Sequence, residues 1–364
     1  MLQHFLLYNL VTIIFAWTPI GSIYNLPEIS SVKVADKDYV VWKNFTQKFT
    51  VQDDICPHRL APLSEGRIVG NKLECGYHGW KFNSAGRCCI IPQEDQHFAL
   101  PNTCNVNTYP VKVSGDILWA CLDKRLAKKF GIVQEDEVLM NCDVPYIREV
   151  PYSWNFLLEN FFDPAHIPFA HHGLQSFRYD AGAIPIELEK FDKKGVVLNF
   201  RDVTAGTKRH GKIVYKGPFI YKLFKKKIPT SPWTNDLTIL CVPITTGRSR
   251  VFMCYDKRNA LSYSNGGDAA QIVKFRKNAH VMSNKFFNTD DYLVHKQEIN
   301  KAKGRSYNMR TKSDYGVQAI RRWIEKYHSP WNYQNTLEIT KEQALDNYNN
   351  HIKFCKDCNP NMPP

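Results

Sequence analysis

Two short stretches of the sequence each offer one cysteine and one histidine as metal ligands. Cys56 and His58 form the first pair, and Cys75 and His78 form the second pair after sixteen intervening residues. Two thiolates and two imidazoles suit a two-iron, two-sulfide cluster in which the cysteines hold one iron and the histidines hold the other. A tetrahedral zinc ion is the alternative, but the ligands of a zinc pair are usually separated by about two to four residues. The single residue between Cys56 and His58 therefore favours the two-iron cluster.

Two further histidines, His166 and His171, lie in the stretch DPAHIPFAH. They are five positions apart, which is not the i,i+4 spacing of a straight helix, and Pro168 between them would interrupt a helix. Such a break would allow both imidazole rings to converge on one metal ion. Packed or surface histidines are the alternative interpretation of this pair.

The sequence around both motifs resembles the Rieske non-haem iron oxygenases. CPHRLAPLSEGR and YHGWKF enclose the first ligands, and Asp163-x-x-His166-x4-His171 is similar to the iron-binding motif of that family. The sequence of these motifs resembles that of the branch that contains pheophorbide a oxygenase, chlorophyllide a oxygenase and the translocon-associated Rieske protein of chloroplasts. The resemblance extends from about Trp17 to Trp323.

This resemblance implies two metal centres. One is a Rieske [2Fe-2S] cluster, and the other is a mononuclear non-haem Fe(II) held by two histidines and one carboxylate, with positions left open for O2. The implied ligands are Cys56, His58, Cys75 and His78 for the cluster, and His166, His171 and Asp290 for the mononuclear iron.

The third iron ligand is less clearly marked because two acids, Asp290 and Asp291, are adjacent. In the family, a Gln or Glu follows the ligand acid by seven residues. Gln297 stands seven residues after Asp290, so this resemblance makes Asp290 the ligand and Asp291 the alternative. The resemblance also makes these acids the start of a helix. Both could instead be carboxylates favoured there by the helix dipole alone.

Asp163 has a separate role by resemblance. In the family, the acid three residues before the first iron histidine hydrogen-bonds that histidine, here His166, and a Rieske histidine of a neighbouring subunit. This bridge would carry the electron across a subunit boundary in a homotrimer. The alternative is that Asp163 only caps a short helix that Pro164 begins.

The elements that must position these ligands predict an α+β fold. Short β-rich runs separated by turns predict a small all-β Rieske domain over residues 17–124, with its ligands on loop tips. Later strand-like runs predict an antiparallel sheet, flanked by helices, in a catalytic non-haem iron domain over 140–330. Residues 1–16 form an apolar segment that could be a leader, an anchor or a packed helix. Residues 331–364 form a C-terminal tail with a CxxC motif.

The composition is that of a basic globular protein, with 364 residues and a formal net charge of +13. No nucleic-acid motif accompanies this charge, so we expect no nucleic-acid partner. Lys222-Leu-Phe-Lys-Lys-Lys227 is the sharpest basic cluster. It could dock an acidic electron donor or an anionic membrane surface, or it could be a solvated loop or strand end. The apolar run over about residues 5–20 is shorter than the roughly 20 residues that span a bilayer.

Of the eleven cysteines, the seven outside the cluster loops and the C-terminal CxxC motif do not have the regular spacing of a disulfide framework, and a disulfide scaffold is not expected at this chain length. Cys355 and Cys358 form the CxxC motif, with His351 just upstream. The pair could be a thiol switch, a thioredoxin target or two inert thiols. A metal site is disfavoured at this point because the sequence reveals no further partners for it.

Together these features predict a Rieske oxygenase that takes electrons from ferredoxin or a ferredoxin-type reductase and uses O2 to oxygenate an organic substrate. The branch implies a hydrophobic chlorophyll-derived tetrapyrrole, pheophorbide a or chlorophyllide a, and a plastid location with membrane-surface association. One alternative is a redox-sensing electron-transfer component of a chloroplast translocon. Others are an oxygenase with a non-tetrapyrrole substrate and a cytoplasmic location in a bacterium.

Overall fold

The computed structural model describes residues 17–95, 100–123, 137–202, 209–226, 234–256, 268–328, 336–359 and 361. These residues divide into two compact units, one within Phe15–Glu135 and one within Asp136–Met362. The C-terminal residues 336–359 belong to the larger unit. The predicted apolar segment 1–16 and Lys227 of the basic cluster lie outside the described residues.

The smaller unit is built from short strands. Its described strands are β1 (Thr18–Ser22), β2 (Ile29–Val34), β3 (Lys37–Lys43), β4 (Phe49–Asp53), β5 (Arg67–Val69), β6 (Lys72–Glu74), β7 (Lys81–Phe82), β8 (Cys88–Ile90), β9 (Thr108–Tyr109), β10 (Val111–Ser114) and β11 (Ile117–Ala120). They form three antiparallel sheets with the orders β1-β11-β10, β2-β3-β4-β9 and β5-β6-β7-β8. Short 3-10 turns occupy Leu63–Glu65 and Asn102–Cys104. The prediction of a small all-β module is confirmed.

A tight hairpin positions the second ligand loop. Gly70 and Asn71 have positive φ angles of 54° and 64°, as both central residues of a two-residue type I′ turn require. This turn pairs Val69 of β5 with Lys72 of β6. Because Cys75 follows β6 directly, the register of the hairpin determines where the second ligand loop begins.

The larger unit combines one antiparallel sheet with helices. Its described strands are β12 (Tyr146–Val150), β13 (Ile186–Asp192), β14 (Gly195–Asp202), β15 (Arg209–Lys216), β16 (Ile220–Lys226), β17 (Thr234–Thr245) and β18 (Arg248–Cys254). Its described helices are α1 (Glu137–Met140), α2 (Trp154–Phe161), α3 (Ile167–Ala170), α4 (Ala269–Ala302), α5 (Tyr315–Tyr327), α6 (Lys341–Ala344) and α7 (Asn347–Asn350). The sheet order is β12-β18-β17-β16-β15-β14-β13. None of the helices in the described ranges is long and apolar enough to cross a bilayer.

Helices α2 and α5 pack against this sheet and against each other. The apolar positions of α5 include Ile320 and Trp323, which recur at helical spacing and are fully buried. Trp323 Nε1 also donates a hydrogen bond to the carbonyl oxygen of Asp192 at 2.8 Å, so burial leaves its polar atom satisfied. This packing fixes the end of α2, from which the predicted iron ligands follow.

Helix α4 corrects one expectation from the sequence. Asp290 and Asp291 do not begin a helix, because α4 begins at Ala269, where Asp268 accepts a hydrogen bond from the amide of Ala270 at 2.8 Å. The two acids lie about six turns further along. Residues 269–289 contain neither proline nor glycine, so nothing in the sequence ends the helix before the acids. The N-terminal helix dipole therefore does not explain these carboxylates.

Candidate metal centres and active site

The loops that begin at Cys56 and Cys75 have the same backbone hydrogen-bond pattern. Each cysteine amide donates to the carbonyl oxygen five residues later, at 2.8 Å in both loops. Each cysteine carbonyl oxygen accepts from the amide four residues later, and that residue has a positive φ angle, 62° at Leu60 and 74° at Gly79. The two loops therefore present their ligands in equivalent ways, as a cluster bound between two loop tips requires.

The four predicted cluster ligands lie together at these tips. Cys56 and Cys75 are each 2% exposed, whereas His58 is exposed and His78 is half-buried. The ring centroids of the two histidines are 4.6 Å apart, and Trp80 stacks on His58. Burial raises the pKa of Cys56 to about 11, although a backbone hydrogen bond from His58 acts in the opposite direction. Bound iron would stabilise the thiolate, so the donors fit a cluster with buried sulfur ligands and imidazoles that face solvent.

Replacement of Cys75 by serine is expected to remove the visible absorption of the iron-sulfur cluster, because a neutral hydroxyl is a much poorer iron ligand than a thiolate. Visible absorption, electron paramagnetic resonance of the reduced protein and sulfide content measure the effect. Cys104→Ser is the matched control, since Cys104 is a half-buried free thiol in the same unit but outside the ligand loops. An intact cluster spectrum in the Cys75→Ser protein would exclude Cys75 as a ligand.

His166 and His171 lie on either side of one short helix, and their imidazole rings meet. Asp163 caps a single 3-10 turn, Pro164–His166, by accepting the amide N–H two residues later at 2.8 Å. The short helix α3 follows at once, with Pro168 in its first turn. His166 is the last residue of the 3-10 turn and His171 directly follows the four-residue helix, so one histidine lies at each end of α3. Their Nε2 atoms are 3.3 Å apart, so the predicted convergence is present.

Hydrogen bonds at Nδ1 leave the Nε2 atoms of both rings available to a cation. His166 Nδ1 lies 2.5 Å from the backbone carbonyl oxygen of Asp163, which can only accept, so Nδ1 carries the hydrogen. His171 Nδ1 lies 2.7 Å from Thr289 Oγ1, whose own hydrogen is donated to the carbonyl oxygen of Phe286. Both Nε2 lone pairs therefore face each other, an arrangement that a cation between them would stabilise.

The adjacent acids Asp290 and Asp291 face in different directions. Asp290 Oδ2 lies 3.4 Å from His171 Nε2 and 3.9 Å from His166 Nε2. Asp291 Oδ2 instead accepts from the buried Arg148, at 2.7 Å from Nη2 and 3.0 Å from Nε. Because the Asp291 carboxylate is already paired with a guanidinium, Asp290 is the acid that remains available to a metal ion.

The donor set formed by His166, His171 and Asp290 fits a mononuclear iron. One possible ligand atom from each residue lies within 4.8 Å of the others. Burial lowers the pKa of both histidines to about 4 and raises the pKa of Asp290 to about 8. At neutral pH the imidazoles are therefore neutral ligands, whereas the carboxylate needs a nearby cation to favour its ionised form. Two histidines and one carboxylate are the donor set typical of non-haem Fe(II) oxygenases.

Asp163 caps the 3-10 turn as predicted, and its closest contact with the His166 ring is made by its backbone carbonyl oxygen. Its Oδ2 lies 3.8 Å from His166 Nδ1, and its side chain is 34% exposed. Burial raises the pKa of the Asp163 carboxyl. A bridge from Asp163 to a histidine of another subunit remains a prediction, since the structure contains one chain. Nearby, Asn160 donates a hydrogen bond to Asp290, whereas Glu159 pairs with Arg321 at 3.0 Å.

Sequence reasoning missed two residues that support this donor set. Thr289 orients His171, and its only signal in the sequence is its position next to Asp290. Arg148 binds Asp291 from a strand that precedes it by more than a hundred residues, so no local pattern could reveal the pairing. Both contacts depend on how helix α4 lies along the sheet.

An apolar cavity of about 280 Å³ lies beside the three donors. His166, His171 and Asp290 form part of its lining. The apolar part of the wall includes Phe161, Phe200, Tyr221, Leu237, Met253 and Phe287. A cavity with a few convergent polar groups on an apolar wall is typical of a small-molecule site.

The described residues of the basic cluster, 222–226, lie on strand β16. Lys222 is 7% exposed, and Lys225 lines the apolar cavity. The described lysines of this cluster therefore do not form one continuous exposed patch. Lys225 instead gives the cavity a cationic group among apolar side chains.

Replacement of Thr289 by valine is expected to lower the affinity for Fe(II) about 10–100-fold, the usual effect of removing a residue that orients a metal ligand. Valine keeps the branched shape but removes the hydroxyl that accepts from His171 Nδ1. Anaerobic Fe(II) titration measures the affinity. Thr289→Ser retains the hydroxyl and is expected to bind iron normally, whereas an equal loss in both variants would indicate a packing effect.

Comparison with known proteins agrees with this arrangement of sites. A family model for the Rieske [2Fe-2S] domain matches residues 16–110. Flavonoid 8-hydroxylase 2, chloroplastic, from Ocimum basilicum is 32% identical over an alignment that covers 94% of this chain and 72% of the relative. The chain belongs to the Rieske oxygenase family. Pheophorbide a oxygenase, chloroplastic, from Arabidopsis thaliana is 28% identical, with 94% of this chain and 71% of that protein covered.

Solved structures show the same fold for this Rieske oxygenase. Dicamba monooxygenase bound to dicamba superposes with a TM-score of 0.65 at 17% identity, covering 87% of this chain and 98% of that chain. Pseudomonas putida CBB5 NdmA with caffeine has a TM-score of 0.63 at 19% identity, covering 88% and 94%. At these identities the likeness concerns the fold alone, and it confirms the predicted α+β class.

The predicted family, branch, oxygenase activity and cofactors are confirmed. This Rieske oxygenase carries a Rieske [2Fe-2S] cluster and a mononuclear non-haem iron, and it uses an electron donor, O2 and a small-molecule substrate. When bound, the cluster supplies single electrons and the iron activates O2 for insertion into the substrate. In this chain, hydrogen bonds to Asp163 and Thr289 orient the two histidine rings, and mainly apolar side chains line the cavity beside them.

Proposed function

We propose that this Rieske oxygenase hydroxylates a flat, apolar, conjugated ring compound in the cavity beside His166, His171 and Asp290. The observation that carries the proposal is the apolar wall that surrounds this three-residue donor set. In this proposal the mononuclear iron is held by those three side chains. The cluster ligands of the proposal are Cys56, His58, Cys75 and His78, at the tips of the two equivalent loops.

The size of the cavity supports a substrate of flavonoid dimensions. The cavity volume of about 280 Å³ lies just below the roughly 300–1,000 Å³ that is usual for small-molecule pockets. Phe161, Phe200 and Tyr221 offer aromatic surfaces that suit a planar ring system. The flavonoid 8-hydroxylase relative, which is 32% identical, supports the same substrate class.

A chlorophyll-derived tetrapyrrole, pheophorbide a or chlorophyllide a, is the second candidate substrate. The observation in its favour is the 28% identity to pheophorbide a oxygenase over 94% of this chain. A macrocycle is larger than a flavonoid, so it would have to extend beyond the described cavity walls. Lys225 in the cavity lining would suit the carboxylate of such a pigment as well as a phenolate.

The proposed electron route uses Asp163 as the link between His166 and a Rieske histidine of a neighbouring subunit. Its partly exposed carboxylate, next to the His166 ring, supports this role. The route requires a head-to-tail assembly, for which we propose a homotrimer with three equivalent interfaces. Ferredoxin is the proposed donor, because an acidic protein would be attracted to a chain with a net charge of +13.

We propose a plastid location, on the basis of the chloroplastic relatives. Flavonoid 8-hydroxylase 2 and pheophorbide a oxygenase are both named chloroplastic, and this chain covers more than two thirds of the length of each. Membrane-surface association is also proposed, with the positive net charge as its physical basis on anionic lipid. Cosedimentation with anionic and neutral vesicles tests the association, and equal binding to both would contradict it.

Product analysis tests the proposed substrate. The full chain, loaded with both cofactors, is incubated with ferredoxin, its reductase and isotopically labelled O2, with flavones and pheophorbide a in parallel. We expect a flavone product that contains labelled oxygen, and no such product from the His166→Ala protein. Labelled product from pheophorbide a alone would favour the tetrapyrrole. Failure to consume O2 with either class, despite full loading with both cofactors, would favour an electron-transfer component of a translocon. One relative, from Arabidopsis thaliana, is named Protochlorophyllide-dependent translocon component 52, chloroplastic.

A further inference from the structure

A second group of metal-binding side chains lies in the larger unit, apart from the three iron donors. His280 comes from helix α4, His351 follows helix α7, and Cys355 and Cys358 form the CxxC motif. One possible ligand atom from each of the four residues lies within 4.8 Å of the others. The partners that the sequence alone did not reveal are thus supplied by the fold.

The distances within this group match a tetrahedral zinc site. Cys355 Sγ lies 3.3 Å from His280 Nδ1, Cys358 Sγ lies 3.7 Å from the same atom, and Cys358 Sγ lies 3.3 Å from His351 Nε2. A zinc ion about 2.3 Å from each sulfur and about 2.0–2.1 Å from each nitrogen places sulfur and nitrogen about 3.5 Å apart at tetrahedral angles. The cysteine spacing C-x2-C is also typical of zinc ligands.

Backbone carbonyl groups orient both imidazole rings toward the sulfur atoms. His280 Nε2 lies 3.3 Å from the carbonyl oxygen of Val144, and His351 Nδ1 lies 2.7 Å from that of Ile147. A carbonyl oxygen only accepts, so these two nitrogens carry the hydrogens and the other nitrogen of each ring has a lone pair. Such an outer hydrogen bond is the usual support of a metal-bound histidine.

Burial of this group disfavours a disulfide between Cys355 and Cys358. His280, His351 and Cys355 are at most 2% exposed, and both cysteines are free thiols in the structure. If Cys355 and Cys358 were joined as a disulfide, neither sulfur could donate a hydrogen bond to the two ring nitrogens. Two buried acceptors would then face sulfur without a donor, which is costly inside a protein.

We propose that His280, His351, Cys355 and Cys358 bind a structural Zn²⁺ ion. Four protein ligands leave no open coordination position, so the site would stabilise the fold and not catalyse a reaction. The ion would attach the C-terminal segment to helix α4, on which His280 stands ten residues before Asp290, about 15 Å along the helix axis. Zinc would therefore help to hold the helix that presents Asp290 to the iron.

Elemental analysis of the full-length holoprotein tests the site independently of catalysis. We expect one zinc per chain in addition to the iron, and X-ray absorption at the zinc edge should show two sulfur and two nitrogen ligands. Cys355→Ala and His280→Gln should each lower the zinc content about tenfold or more after dialysis against a chelator. Cys254→Ala is the matched control, because Cys254 is a buried thiol of the same unit outside the group. His166→Ala should also retain zinc.

The absorption measurement needs only the wild-type chain, so it decides the matter even if a variant fails to fold. The proposal would be overturned if the purified protein contained no zinc, mass spectrometry showed a disulfide between Cys355 and Cys358, and the same protein took up no Zn²⁺ after reduction. Zinc with only nitrogen and oxygen ligands, or zinc retained in both variants, would also overturn it, since the ion would then be bound elsewhere.

Discussion

The His166→Ala protein is expected to lose turnover by at least about a hundredfold, because even removal of a residue that merely orients a metal ligand costs about 10–100-fold. His166 Nε2 faces His171 Nε2 at 3.3 Å, so alanine removes one of the three donors. The visible spectrum of the Rieske cluster should be unchanged, because its four ligands lie in the smaller unit. Substrate turnover, mononuclear iron content and the visible spectrum are measured on the same preparation.

His172→Ala is the matched control for this variant. His172 is adjacent to His171 but exposed, and its Nδ1 accepts a hydrogen bond from the amide of Arg178 at 3.2 Å, so it faces away from the donor set. The control should retain mononuclear iron and turnover. Loss of the cluster spectrum in the His166→Ala protein would indicate misfolding, and unchanged mononuclear iron content would remove His166 from the proposed ligands.

Substitution of the two adjacent acids should produce two different defects. Asp290→Asn is expected to lose mononuclear iron while the protein stays folded, since a neutral amide is a poorer iron ligand than a carboxylate. Asp291→Asn is expected to lower the free energy of unfolding by about 3–5 kcal/mol, the usual cost of leaving a buried charge without its partner. Here that charge is the guanidinium of Arg148, whose side chain and that of Asp291 are both fully buried.

Chemical denaturation, followed by circular dichroism, measures stability, and elemental analysis after desalting measures iron. The Asp291 carboxylate also accepts from Tyr152 Oη at 3.0 Å, so its loss leaves two buried donors less well satisfied. The assignment of roles would be reversed if Asp291→Asn removed iron at normal stability. It would also fail if Asp290→Asn retained a full complement of mononuclear iron.

Local motifs were sufficient to predict the cluster loops and the histidine pair. Cys56 with His58, and Cys75 with His78, are close in sequence, so a short loop alone keeps each pair together. The same is true of His166 and His171, since Pro164 begins the 3-10 turn that ends at His166 and Pro168 lies between the two histidines. These contacts need few tertiary constraints, and for this reason the family resemblance could be recognised from residue types and spacing.

The choice between Asp290 and Asp291 required tertiary structure. Neighbouring residues on a helix point about 100° apart, so the orientation of α4 decides which acid meets the histidines. Arg148 on β12 pairs with Asp291 and thereby leaves Asp290 for the donor set. The helix also proved much longer than expected, because the absence of helix-breaking residues before the acids mattered more than the presumed helix start.

The C-terminal CxxC motif shows most clearly which contacts the sequence predicts and which depend on tertiary structure. By itself the sequence determined the cysteine pair with His351 nearby, together with the ligand types of the cluster and of the iron histidines. Only the tertiary structure brought His280, which is more than seventy residues upstream of Cys355, to within 3.3 Å of its sulfur. The tertiary structure likewise determined which residues line the apolar cavity, because its walls come from separate strands and helices. Contacts within a short loop are determined by local geometry, whereas contacts between distant segments depend on how the whole core packs.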